Sequence, residues 1–114
     1  MRQAYAHHAT LVLDPSADPR APGAAITLAL CGAHRHAGPC PVAPHHTGAE
    51  ARADGLHLRI LFAVAPDRVD AVRAAIDTAL SGGPWRLVES GCARIDPAER
   101  DHARRLLKSV GPRG

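Results

Sequence analysis

The sequence predicts an α+β domain: a four-stranded, mostly antiparallel sheet with two helices on one face. The expected order is strand, strand, loop, strand, helix, strand, helix. Three observations predict it. Several stretches alternate apolar and polar residues with period two, most clearly residues 56–64, where Leu56, Leu58, Ile60, Phe62 and Val64 share one side. Two stretches carry apolar residues at helical spacing instead: Val69, Val72, Ile76 and Leu80, then Ala103, Leu106, Leu107 and Val110. Between the second and third expected strands, residues 31–48 have neither period and are dense in cysteine, histidine and proline.

Taken in order, residues 4–13 form the first expected strand, with Tyr5, His7, Ala9, Leu11 and Leu13 on one face. Residues 14–23 hold three prolines and read as a loop. Residues 24–30 resume an alternation through Ile26, Leu28 and Leu30, a second strand running into Cys31. After the cysteine and histidine stretch, residues 50–55 are polar and read as a connector. Residues 56–64 are the third strand. Pro66 then suits the first position of a helix, where its missing N–H removes no bond. The Ser81-Gly82-Gly83-Pro84 run stops that helix. A fourth strand is expected over residues 85–90, bent near Gly91. Asp96, Pro97 and Glu99 then form a helix-start signature, with Asp96 as cap and Glu99 able to reach back.

The exposed face of such a sheet would take His8, Thr10, His57, Arg59 and Arg86. The element order over residues 24–95 resembles that of ferredoxin-like domains, a likeness of topology that implies no function. With no internal repeat, residues 1–114 read as one domain.

The stretch 31–46 holds Cys31 and Cys40 and four histidines: His34, His36, His45 and His46. Thiolates and imidazoles are the donors that zinc, and copper or iron in other geometries, prefer. The two-residue gap between Cys31 and His34 suits a turn that brings both onto one ion. The spacing matches no zinc finger, ribbon or RING. For one closed tetrahedral site the expected ligands are Cys31, His34, Cys40 and His46. His36 can substitute for His34, and His45 for His46, because adjacent residues of an extended chain point apart. Zinc is the expected ion, with copper or iron as alternatives. Against this stand two plainer readings: a solvated loop, or a disulfide between Cys31 and Cys40.

Composition narrows the function classes. Aromatics are only 3% of residues, so the core must come from aliphatics, and an ion clipping a loop would supplement it. The formal charge of +3 is too small and dispersed to be a nucleic-acid signature. No run approaches the roughly 20 apolar residues that cross a bilayer. The N-terminus lacks the apolar segment of a secretory signal, which makes the cytoplasm the expected compartment. Reduced thiols there favour ligands over a disulfide.

Three functions follow: a zinc-stabilised domain presenting a surface to a protein or nucleic-acid partner, a small metal-dependent enzyme, or a metal-handling protein. Glu50, Asp54 and Glu89 are the carboxylates that could serve an open metal site as base. His7 or His8 could complete a site if the sheet brings them near Cys31. Cys92 reads as core packing before nucleophile. An edge strand near Tyr5 would offer a dimer contact.

Overall fold

The computed structural model describes residues 2–31 and 44–108, with Cys31 placed by its backbone alone. The elements are β1 (Gln3–Val12), α1 (Ala21–Cys31), β2 (His45–Arg52), β3 (Gly55–Val64), α2 (Val69–Ser81), β4 (Arg86–Ala93) and α3 (Arg100–Lys108). Short 3-10 turns at Pro66–Arg68 and Pro97–Glu99 lead into α2 and α3. The expected α+β class and four-stranded antiparallel sheet are present, but the order is strand, helix, strand, strand, helix, strand, helix.

Two expectations are corrected. Residues 24–30, expected as a strand, lie in α1. Ile26 and Leu30, four apart, are fully buried while Leu28 between them is 49% exposed, which is helical burial and not alternation. Pro22 sits in the first turn of this helix, where a missing N–H is tolerated. Residues 45–52, expected as loop and connector, form β2. That strand lies at the sheet edge and pairs along its whole length with β3. An edge strand needs few apolar side chains, so its sequence carries little strand signal.

The sheet order is β2-β3-β1-β4 with every neighbour antiparallel. Strands β1 and β2 are therefore parallel with β3 between them, and β3 and β4 are parallel with β1 between them. These are two interleaved split β-α-β units, the ferredoxin-like arrangement.

Alternation assigns the faces. One side carries Ala9 and Leu11 of β1 with Leu56, Leu58, Ile60, Phe62 and Val64 of β3; α1 and α2 cover it through Ile26, Leu30, Val72, Ile76 and Leu80. Tyr5 stacks on Phe62 at 5.7 Å between ring centres. The Trp85 Nε1–H donates to the Leu80 carbonyl at 2.6 Å, tying the turn after α2 to that helix. The opposite side carries Ala6, Leu61 and Ala63, which pack on Leu106 of α3. The two helices sharing a face are thus α1 and α2, while α3 sits on the other. It covers only part of that face, and the remainder is open.

Candidate functional site

His34, His36 and Cys40 lie outside the described residues. Cys31 is the last residue of α1, one turn beyond Thr27. The Thr27 hydroxyl lies 3.3 Å from His45 Nε2, so the end of α1 and the start of β2 touch. His46 points to the other face, as strand alternation requires. There its ring centre stands 3.9 Å from that of His102 on α3. The structure thus sets His45 beside the helix that ends at Cys31, and His46 across the sheet from it. Burial, then the charges of His102 and His45, lower the pKa of His46 below its ordinary 6.5, against a smaller opposing pull from Glu99. Among the described residues, no three histidine, cysteine or acidic side chains gather as a metal site.

His7 and His8 diverge in the same way. His7 faces α2 and is 2% exposed. Its Nδ1 lies 3.0 Å from Arg73 Nη1, which can only donate. Nδ1 must then be the acceptor, and Nε2–H donates to Asp77 Oδ1 at 3.0 Å. The same Arg73 nitrogen donates to the Ala6 carbonyl at 2.9 Å, and the guanidinium lies over the Phe62 ring. Burial is the main cause lowering the His7 pKa, outweighing the pull of Asp77. Both ring nitrogens are engaged, so His7 is a neutral structural link between β1 and α2. Arg73 and Asp77 are four apart on α2; in sequence they read as an ordinary surface pair. Cys92 is an exposed free thiol on β4 rather than a core residue.

The open part of the α3 face is a polar pocket of about 390 Å³. Its floor is two cross-strand rows fixed by the register. One runs His8, Arg59, Gly48, with Gly91 paired to His8 on β4 but outside the lining; the other runs Glu89, Thr10, His57, Glu50. His8, Thr10, His57 and Arg59 are four of the five residues expected on the exposed face, although Thr10 is only 6% exposed. The fifth, Arg86, is exposed opposite Val12 and does not line the pocket.

Most charges here are paired. Arg59 donates to both oxygens of Glu99, from Nε at 2.9 Å and Nη2 at 2.7 Å. This holds the Glu99 carboxyl below its usual range. Glu99 also accepts from the Asp96 backbone N–H, the expected capping contact, so the pocket wall is the start of α3. Arg52 pairs with Glu50 at 2.7 Å. His57 Nε2 meets Asp54 at 2.7 Å, which lowers the Asp54 pKa. His8, Thr10 and Glu89 have no side-chain hydrogen bond or ion pair among the described residues.

Sequence reasoning named Glu50, Glu89 and the floor residues His8, Thr10, His57 and Arg59, but missed Gly48, Glu99 as a wall and His102 as a neighbour of His46. The capping signature gave Glu99 a local role only, and a lone histidine on a helix gave no signal. The chain matches no family model, and neither a curated protein nor a solved structure is significantly similar to it. Function rests on the side chains.

Proposed function

We propose that this chain is a metal-binding α+β protein whose cysteine and histidine stretch holds one zinc ion and presents a surface to a partner. The carrying observation is the density of donors: Cys31, His34, Cys40 and His46, with His36 and His45 as substitutes, fall within sixteen residues. Two features of the fold support it. The contact between Thr27 and His45 pins the elements at the two ends of the stretch, so the substitute donor His45 starts beside the helix that ends at Cys31, while His46 starts from the opposite face of the sheet. A stretch closed at both ends loses less chain entropy when an ion gathers it. His46 also resists protonation, and only neutral imidazole ligates. Mixed sulfur and nitrogen donors suit zinc; copper or iron would impose other geometries.

The test is elemental analysis of protein purified without a histidine tag. The expected result is about one zinc per chain, lost in a Cys31→Ser, Cys40→Ser double variant. Less than about 0.3 of any transition metal per chain, after growth in zinc-supplemented medium, overturns the proposal.

A further inference from the structure

We infer that the open half of the α3 face is a binding site for a small hydrophilic amine, an ammonium group with a hydroxyl-type hydrogen-bonding partner nearby. This site is separate from the cysteine and histidine stretch and uses none of its residues.

The first support is shape. Gly48 and Gly91 both lie within strands, where glycine is unfavourable unless something approaches the backbone closely. Neither has a positive φ, so neither is required by backbone conformation. A Cβ added at Gly48 would meet nothing nearer than the Arg59 carbonyl at 3.9 Å, so the strand has room for a side chain there. Its lack of one leaves the floor open. At Gly91 an added Cβ would come within 3.3 Å of His8 Nε2, so this glycine lets the imidazole lie over the backbone. The resulting space of about 390 Å³ is at the small end of ligand pockets.

The second support is charge. Among the lining residues, three carboxylates (Glu50, Glu89, Glu99) face two guanidiniums (Arg52, Arg59), leaving one net negative charge with histidine taken as neutral. Glu50 and Glu99 have arginine partners; Glu89 has none among the described residues. A carboxylate beside a pocket with nothing to neutralise it favours a cation there. Thr10 and His8, also without partners among the described residues, stand beside it and can accept or donate to a hydroxyl. The lining holds no Phe, Tyr or Trp, so its planar groups are the polar imidazoles and guanidiniums of His8, His57, Arg52 and Arg59.

The experiment is an NMR titration of the full chain with three four-carbon probes of matched shape. These are 4-amino-1-butanol, its neutral analogue 1,4-butanediol and its anionic analogue 4-hydroxybutyrate. The aminoalcohol should give saturable shifts centred on His8, Thr10, Gly48, His57 and Glu89, and the other two should not. Glu89→Gln should weaken binding by about tenfold. Gly48→Val, which fills the floor, should abolish binding while leaving the unfolding midpoint unchanged or raised. The inference is overturned by no saturable shift at these residues, by equal binding of the diol or the hydroxyacid, or by a Glu89→Gln chain that binds as well as the parent.

Discussion

His7 and His46 meet acid in the same direction for related reasons. His7 is enclosed between Arg73 and Asp77, where burial disfavours its cation. His46 is disfavoured first by burial and then by His102 and His45, with Arg105 adding to them and only Glu99 opposing. Each folded-state pKa lies below the ordinary 6.5. Between that folded value and 6.5 the unfolded chain binds more protons than the native one. Stability is therefore full above about pH 6.5 and falls as the pH drops through the window beneath it. Glu99, held low by Arg59, adds a loss only at more acid pH. Urea midpoints should fall between about pH 7.5 and pH 5.5, and His46→Gln should shrink that fall. A midpoint that stays flat or rises toward acid contradicts this reading. At this scale the sequence was partly legible. Alternation placed His7 with Leu11 and His8 with Thr10, but Arg73 and Asp77 come from 66 and 70 residues away and could not be assigned to His7.

The elements that read correctly are those whose burial is strongly one-sided. Strand β3 and helix α2 bury the residues their spacing predicts, from Leu56 to Val64 and at Val72, Ile76 and Leu80. The start of α3 uses Asp96, Pro97 and Glu99 as expected. Helix α1 was misread because its alanines carry no phase, leaving Ile26, Leu28 and Leu30 to imitate a strand. Strand β2 was missed because an edge strand can be polar on both faces.

The hairpin between β2 and β3 depends on one residue the sequence reading treated only as connector. Gly55 has φ of +137°, a conformation L side chains rarely adopt, and a Cβ there would strike the Leu11 carbonyl on β1. Gly55→Ala should destabilise by about 2 kcal/mol or more. Gly82→Ala, where the added carbon meets only the Thr78 carbonyl at an ordinary 3.6 Å, should stay within about 0.5 kcal/mol of the parent. Chemical denaturation of both variants checks the pair, and equal midpoints would refute the argument.

The molecule has two cores of unequal strength, and they set the order in which it opens. Among the described residues, twelve buried ones join α1 and α2 to one face of the sheet. Only four, Ala6, Leu61, Ala63 and Leu106, form the cluster that seats α3 on the other. Two polar contacts supplement that smaller cluster: the Arg59–Glu99 fork and the His46–His102 ring contact. Local opening follows the density of buried contacts, so α3 should detach while β1 and β3 remain paired. Native-state hydrogen exchange should show α3 amides opening at a lower free energy than those of the two central strands. Removing the fork with Glu99→Ala should speed α3 exchange about fivefold, equivalent to about 1 kcal/mol for a partly exposed pair, and leave β1 unchanged. If α3 and β1 exchange together at the slowest rate, the two-core description fails. The same motion bears on the polar pocket, because Glu99 is its wall and Arg59 is part of its floor. Each opening of α3 removes that wall and leaves Arg59 without its carboxylate partner, bonded among the described residues only to the Arg94 carbonyl. The net charge that favours a cation then disappears, so amine binding and α3 docking should strengthen each other.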